Sequence, residues 1–297
     1  MIQDHPSPGS WQRPRIVRRG IALTFAAMAL LATAFGIMAL GLLLFTVGKD
    51  GIGALSWDFL TSFPSRKAEL AGVKAALAGT LWVMVFTGFF AVPIGVGAAI
   101  YLEEFAAKNW LTRLIETNIR TLAGVPSVVY GLLGLAIFVI GARLGPSILA
   151  AACTLALLIL PIIIVSAREG LRSVPPSMRE AAMALGATRW QAVYHQVLPA
   201  GMPTVLTGVI LALARAIGET APLIAIGAFT SVFFVPSSPM DSFTVLPIQI
   251  FSWVSRPLRE FQENAAAGII VLLIVLLLMN SVAVGLRHLY SRRSNGN

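Results

Sequence analysis

The stretch 21–47 reads IALTFAAMALLATAFGIMALGLLLFTV, which is 27 residues without a charge. About 20 apolar residues suffice for a helix to cross the hydrocarbon core of a bilayer. Four arginines precede the run, and the tripeptide ATA at 32–34 resembles a signal-peptide cleavage site. The apolar run continues for 13 residues beyond that tripeptide. We therefore expect an uncleaved first membrane helix, preceded by a short arm at 1–20.

The rest of the chain has the same apolar character. Of its 297 residues 57% are hydrophobic and 12% charged, and the mean hydropathy is +0.82, whereas a typical soluble domain is close to a quarter charged. The sequence predicts an all-α polytopic membrane protein with six transmembrane helices, at about 21–47, 77–101, 121–142, 147–166, 203–234 and 265–286. The run 203–234 is too long for one straight span, and we expect Pro222 to break or kink it.

The basic residues predict the orientation of the helices. With the N-terminus inside, 14 Lys and Arg residues fall on the inner side and seven on the outer side, and this bias places both termini in the cytoplasm, including a tail at 288–297. The same bias accounts for the net charge of +9, so we expect lipid and not nucleic acid around the chain. The single cysteine, Cys153, lies in an apolar run and is interpreted as a small buried hydrophobe.

One long amphipathic connector, at 175–199, reads PPSMREAAMALGATRWQAVYHQVLP. Ser177 followed by Glu180 fits a capping box, and Gly186 is suited to end the short helix that this box would start. We expect Gly186 to adopt a left-handed backbone conformation. A second helix is predicted from there to Leu198.

The predicted fifth helix contains two charges, within the segment ALARAIGETAP at 212–222. Arg215 and Glu219 are four residues apart and therefore share one helical face. Each charge costs roughly 2.5–3.5 kcal/mol at mid-membrane on insertion scales, so neither is expected to face lipid. A purely structural ion pair is one interpretation. The functional interpretation is that Arg215 offers its planar donor fork to a translocating oxyanion while Glu219 holds it in place.

The connector resembles the signature loop of permeases of ATP-binding-cassette (ABC) importers, with E-A-A, then G, then L-P at the end. In that family the loop forms a coupling helix that docks on an ATPase subunit, which implies this role for Glu180, Ala181, Ala182 and Gly186. Gln196 departs from the aliphatic residue that is usual there. The chain has no G-x-x-x-x-G-K-[ST] loop, so no cofactor is expected in it and ATP and Mg should be bound by the partner ATPase. It is not expected to be an enzyme.

The segment ARAIGETAPL at 214–223 is similar to the signature of A-type permeases of phosphate importers, which implies the type I importer permease fold over 70–287. Four other stretches agree with that family: GTL at 79–81, PIG at 93–95, IYLEE at 100–104 and GVPSVVYGL at 124–132. The resemblance implies a substrate path containing Arg215, Glu219, Thr220 and Ser127, although Ser127 is also suited to capping a helix. One departure is Val165, where the family often has an arginine that Arg168 would replace.

The resemblance also implies a location and a set of partners. The chain would lie in the bacterial cytoplasmic (inner) membrane and form a heterodimer with a C-type permease. This pair would work with a dimer of ATPase subunits and an extracytoplasmic phosphate-binding protein, importing inorganic phosphate.

Other functions remain as alternatives at this stage. The first is an ABC permease for another oxyanion, such as sulfate, molybdate or phosphonate. The second is an ion-coupled secondary carrier that uses Glu219 as its proton site. A receptor without transport is disfavoured by the intramembrane charge pair, and an intramembrane enzyme by the position of the three histidines in terminal or loop regions.

Overall fold

The computed structural model describes residues 15–229 and 231–294 and is 77% helix, with no strand in these residues. This confirms the predicted all-α class. The long helices are α1 Arg15–Gly51, α3 Lys74–Ile100, α6 Ile148–Arg172, α9 Leu198–Ile217 and α12 Arg259–Ser294. The short ones are α2 Trp57–Thr61, α4 Trp110–Leu122, α5 Ser127–Gly134, α7 Pro176–Ala184, α8 Arg189–Ala192, α10 Ala221–Ala225 and α11 Leu246–Val254. Wider π-type turns continue α3 to Phe105, continue α5 to Gly141 and join α8 to α9.

The chain divides into two units, Met1–Lys49 and Asp50–Asn297. The first consists of most of α1, whose side chains from residue 22 to 46 are all exposed within that unit, as an apolar helix in lipid requires. Helix α1 begins at Arg15 and not at 21, so the predicted arm 1–20 is partly helical and its residues 1–14 lie outside the described part. Similarly, α12 continues to Ser294, so most of the predicted tail 288–297 is helical, and its residues 295–297 lie outside the described part.

The predicted third span, 121–142, is wrong as a single straight helix. Helix α4 ends at Leu122, and the helical segment Ser127–Gly141 starts anew at an angle of 105° to it. The break falls at Pro126, which has no backbone N–H to donate to the preceding turn. The described residues therefore contain five helices that are long and apolar enough to cross a membrane, or six if this bent pair forms one span.

The predicted fifth span, 203–234, is also wrong in its limits. The helical run is Arg189–Ile217, and it ends at Gly218, four residues before Pro222. Pro222 instead lies in the first turn of α10, where its missing N–H costs nothing and its fixed φ favours the helix. The π-type turn Val193–Val197 precedes Pro199 and lets the helix continue past that proline, since such a turn re-pairs the backbone locally.

Three helices form the centre of the second unit. Of the most apolar window of α6, 67% is buried, against 33% for α3 and for the run that contains α9. Residues from all three helices make up the largest buried cluster, which includes Met84, Ala91, Ile159, Ile163, Ala167, Val205 and Val209. Helix α12 packs against α9 at the side of this group. The candidate sites below lie at the ends and breaks of these helices.

The connection between α10 and α11 holds the start of α6. The backbone N–H groups of Ile148 and Leu149 donate to Asp241 (3.2 Å) and Pro239 (2.9 Å) carbonyls. The Asp241 carboxylate in turn accepts hydrogen bonds from the backbone N–H groups of Ser237 and Ser238, and these bonds lower the pKa of Asp241. Because the lowered pKa favours the charged form, this turn keeps its bonds at neutral pH and loses them only as the pH falls through that pKa.

Candidate functional site

The charged residues Arg215 and Glu219 meet at the break between α9 and α10. Arg215 lies in the last turn of α9, and Glu219 follows the cap residue Gly218. The Nε atom of Arg215 is 3.3 Å from Oε1 of Glu219, so the four-residue spacing does bring them together, although the helix ends between them. The Arg215 side chain is 45% exposed and that of Glu219 16%. Arg215 lies about 26 Å along α9 from Leu198, at 1.5 Å per residue, so its exposed guanidinium is at the far end of the helical run Arg189–Ile217 from the connector.

Helix α5 packs directly against this break. A Cβ added to Gly131 of α5 would lie 2.6 Å from the Cα atom of Pro222, so only glycine permits this approach. Thr220 precedes α10 as its cap residue and is half-buried, without a side-chain cap hydrogen bond. The predicted residue Thr220 is therefore beside Glu219, with a hydroxyl that is not used for capping.

Ser127 begins α5, one turn before Gly131. Its expected capping role is wrong, because Pro126 occupies the cap position and no side-chain cap bond forms. Ser127 is half-buried, and within the described residues no hydrogen bond joins it to Arg215 or Glu219. Tyr130, which sequence reasoning did not single out, donates from its hydroxyl to the Leu122 carbonyl at 2.8 Å and lies within electrostatic range of Arg215.

The connector forms a separate site at the other end of α9. Helix α7 starts at Pro176 with Pro175 as its cap residue and no side-chain cap bond, so the predicted capping box of Ser177 and Glu180 is wrong. A proline at the first helical position starts the helix without side-chain help, because its φ is already helical. The capping box of this region belongs to α8, between Thr188 and Gln191.

Helix α7 ends at a left-handed glycine. Gly186 has φ +88°, and its N–H donates to the Met183 carbonyl, while the N–H of Ala187 donates to that of Ala182. This pair of bonds is a Schellman motif, as the position of Gly186 predicted. Glu180 and Ala181 are exposed and Ala182 half-buried. Leu185, at 91% exposure the most exposed large hydrophobic residue described, follows the helix directly.

Arg179 fastens the inner face of α7 to the helix bundle. Its guanidinium lies 2.6 Å from the Glu104 carboxylate and donates to the carbonyls of Leu171 (2.9 Å) and Val174 (2.8 Å). Glu104, in the turn that continues α3, is buried. One arginine thus connects α7 to the ends of α3 and α6 through charge-assisted bonds.

A second ion-pair group lies beside it. Buried Arg168 contacts Glu103 at 3.2 Å and Glu116 of α4 at 2.7 Å, and Arg172 contacts Glu103 at 2.8 Å. Arg168 is thus engaged with two carboxylates at the end of the bundle, which leaves little of its charge for a translocating anion. This geometry disfavours its suggested role in place of an arginine at Val165.

Comparison with known proteins agrees with this architecture. Residues 91–295 match the family described as the binding-protein-dependent transport system inner membrane component. The chain belongs to this family. It is a permease subunit of an ABC importer and an integral inner-membrane protein, and it works with a separate ATPase subunit, on which ATP hydrolysis resides, and a substrate-binding protein.

Two relatives illustrate the range of this similarity. The permease is 33% identical to the phosphate transport system permease protein PstA of Yersinia pestis, over 95% of this chain and 93% of that one. It is 30% identical to the probable ABC transporter permease protein YqgI of Bacillus subtilis, over 79% and 83%.

Two solved structures show that the fold is that of type I importer permeases. A bacterial ABC transporter involved in the import of alginate has a chain that aligns with a TM-score of 0.63 and 16% identity, covering 92% of the permease and 98% of that chain. An inward-facing MetNI methionine transporter aligns with a TM-score of 0.57 and 18% identity, covering 73% and 96%. The predicted fold class is confirmed.

The ion pair under α7 leads to a first prediction. In a Glu104→Leu permease Arg179 keeps its carbonyl acceptors but loses its counter-charge. Removing one partner of a fully buried pair costs about 3–5 kcal/mol, and less is expected here because Arg179 is one-fifth exposed. We expect several-fold less ATPase subunit to co-purify with the membrane-inserted mutant. The matched control is Glu69→Leu, since Glu69 is exposed and far along the chain from α7. Equal ATPase recovery in both mutants would contradict the role given to Glu104.

Proposed function

We propose that this permease imports inorganic phosphate into the cytoplasm, as a heterodimer with a C-type permease. The heterodimer works with two ATPase subunits and an extracytoplasmic phosphate-binding protein. ATP and Mg are bound by the ATPase, and no cofactor is needed in this chain. Support for the substrate comes from the similarity to PstA proteins over nearly the whole chain and from the chemistry of the α9–α10 break.

The observation that carries the proposal is the exposure of the Arg215 guanidinium and its limited pairing with Glu219. This guanidinium lies in the last turn of a membrane helix, is almost half exposed and contacts, among the described residues, one carboxylate at 3.3 Å. A guanidinium presents donors in a planar fork that matches phosphate oxygens. Glu219 orients this fork and, by its negative charge, limits how tightly an anion binds, since transport requires release as well as entry. The hydroxyl of Thr220, next to Glu219, supplies a neutral donor, and we assign the same role to Ser127 at the start of α5.

The helix that carries Arg215 also supplies the route of coupling. Arg189–Ile217 is one helical run, so α8, which follows the coupling helix α7, is continuous with the segment that ends at the charge pair. A displacement of α7 by the ATPase therefore moves the start of the same helix whose other end holds Arg215. Glu180, Ala181 and Ala182 present the docking face of α7, and Gly186 sets the direction of its exit.

Orientation follows from the coupling site. An ATPase is cytoplasmic, so α7 faces the cytoplasm in this proposal, and the bias of Lys and Arg supports a location of both termini on that same side. Surface labelling of single cysteines near each terminus, in intact and in permeabilised cells, tests this arrangement.

The substrate is tested by uptake into vesicles that contain the whole complex. We expect uptake of radiolabelled phosphate to require ATP and to resist a large excess of sulfate, molybdate or phosphonate. The relatives from Bacillus subtilis are named as permeases without a substrate, so another oxyanion is the alternative function. Competition by one of these anions at concentrations equal to phosphate would favour it. Family membership makes ATP the energy source, which replaces the earlier alternative of an ion-coupled carrier.

A second prediction separates the roles of charge and shape at Glu219. Glu219→Gln keeps an acceptor for the Arg215 Nε–H, whereas Glu219→Leu removes it and leaves the guanidinium unoriented. We expect the leucine variant to lose considerably more phosphate uptake than the glutamine variant, with both complexes assembled. The measurement is initial uptake rate per assembled complex. Equal abolition by both substitutions would show that the negative charge itself is needed and that orientation of Arg215 is not the main role.

A further inference from the structure

Helix α4 has an apolar face that the described part of the chain does not cover. This face consists of five large side chains, each 41–71% exposed: Trp110, Leu111, Leu114, Ile115 and Leu122. They follow the spacing of one side of a helix. Asn118 lies among them, and its amide donates to the Leu114 carbonyl at 2.9 Å, which partly satisfies it. An uncovered apolar face of this size needs an apolar surrounding.

The remaining sides of α4 are divided between protein and charge. Thr112, Glu116 and Ile119 are half-buried against the bundle, and Glu116 contacts Arg168 of α6 at 2.7 Å. Arg113 and Arg120 are exposed and lie roughly opposite the apolar face, at about 100° per residue around the helix. The helix therefore packs on protein with one flank, exposes apolar side chains on a second side and presents its own basic side chains on a third.

The orientation of α4 is set by its neighbours. It is bent by 105° from the segment Ser127–Gly141, so if that segment runs across the membrane, α4 runs nearly along its surface. Its depth is set by Arg168, which lies only four residues before the end of α6. Helix α4 thus lies beside the end of α6 from which the chain continues to α7.

We propose that α4 is an interfacial helix, with its apolar face in the acyl region of the membrane and Arg113 and Arg120 binding the phosphate groups of anionic phospholipids. Basic residues at a membrane surface attract anionic headgroups, and a tryptophan such as Trp110 is typical of that interface. Asn118 fits the headgroup boundary, where water can complete its bonds, better than a dry interface between proteins. A second permease chain covering the same face is the competing arrangement, and the test separates the two.

Lipid binding to α4 would also affect the ion pairs that α4 makes with the rest of the bundle. Glu116 connects α4 to Arg168, whose other partner Glu103 also holds Arg172. Lipid bound on α4 is thereby linked through three charged residues to the part of α6 next to the coupling helix. This inference requires only that the chain lies in a membrane, and it is independent of the transported substrate.

Spin labels test where the apolar face lies. Single cysteines at Leu111, Leu114 and Arg120, in a Cys153→Ala background, would be labelled in the full-length permease reconstituted with its partner subunits. Collision rates with oxygen, which concentrates in lipid, and with a water-soluble nickel chelate would then be compared. We expect oxygen to exceed the chelate several-fold at 111 and 114, and the reverse at 120. Chelate access at all three positions would overturn the proposal. So would protection from both reagents at 111 and 114, because it would indicate a protein surface.

A second experiment, in which the charges of Arg113 and Arg120 are removed, tests whether these residues bind anionic headgroups. The label at 114 would be measured in phosphatidylcholine bilayers with increasing phosphatidylglycerol, with and without the double substitution Arg113→Gln and Arg120→Gln. The phosphatidylglycerol fraction needed for half of the change in depth should rise severalfold when both arginines are removed. The control is Arg66→Gln with Lys67→Gln, which removes the same charge from exposed positions outside α4. An unchanged lipid dependence in the α4 double mutant would refute binding of headgroups by these arginines.

Discussion

Replacing Arg215 by alanine should reduce phosphate uptake at least tenfold, while the complex still assembles in the membrane. The physical reason is the loss of charge-assisted hydrogen bonds to the oxyanion, each contributing about 1.5–3 kcal/mol. The guanidinium is nearly half exposed, and the side-chain hydrogen bond that it makes within the described residues, to Glu219, is itself exposed, so the fold should tolerate its loss. The measurement is radiolabelled phosphate uptake by reconstituted complex, alongside recovery of the partner subunits.

Two further variants make this result specific. Arg215→Lys keeps the charge but not the planar fork, and uptake between those of wild type and the alanine variant is expected. Arg256→Ala is the matched control, because Arg256 is a half-buried arginine stacked 4.3 Å from the Phe261 ring and outside the charge pair. Its uptake should stay close to that of wild type. Normal uptake by an assembled Arg215→Ala complex would exclude Arg215 from the substrate path.

Replacing Gly186 by valine should disrupt the coupling between the permease and its ATPase subunit. Gly186 has φ +88° and nothing within 4 Å of an added Cβ, so the penalty comes from the backbone alone. A left-handed conformation costs an L-residue about 1–2 kcal/mol, and a β-branched residue fits it especially poorly. Avoiding this strain would turn the exit of α7 and misplace its docking face. We expect substrate-stimulated ATP hydrolysis and uptake both to fall strongly, although the subunit still inserts in the membrane.

Gly186→Asn provides the control for this variant. Asparagine also adds a side chain in open space, but it tolerates the left-handed region. Hydrolysis and uptake close to wild type are therefore expected for Gly186→Asn, measured in the same reconstituted complex. If Gly186→Val retained full substrate-stimulated hydrolysis, the direction of the α7 exit would not matter for coupling, and α7 would lose its assigned role.

Features that depend on neighbours in the chain were predicted well. The charge-free run at 21–47 gave a helix, because about 20 apolar residues form one in lipid whatever surrounds them. Gly186 has the expected positive φ, because a residue without a Cβ ends a helix in the left-handed conformation without strain. Arg215 and Glu219 are in contact, as a four-residue spacing allows. Each of these features depends on residues close together in the sequence, so it can be predicted without knowing where the other helices lie.

Predictions about where helices stop were less successful. Pro222 was expected to break a long span, yet the break lies at Gly218 and Pro222 begins a new helix. Pro199 was expected to follow the end of a connector helix at Leu198, yet a π-type turn carries the helix past it. A proline restrains only its own φ and removes one donor, so its neighbours in space decide whether it ends, starts or interrupts a helix.

By itself, the sequence determined that this chain is an all-helical membrane protein with a family-specific connector and a pair of opposite charges, Arg215 and Glu219, four residues apart. The tertiary structure alone decided which other charges matter. Glu104 and Arg179 are 75 residues apart, and Arg168 lies 65 residues from Glu103 and 52 from Glu116. No periodic pattern relates residues at such separations. Only the packing of α3 and α4 beside α6 brings these carboxylates to the arginines, since a charge near the membrane is stable only where another helix supplies its partner.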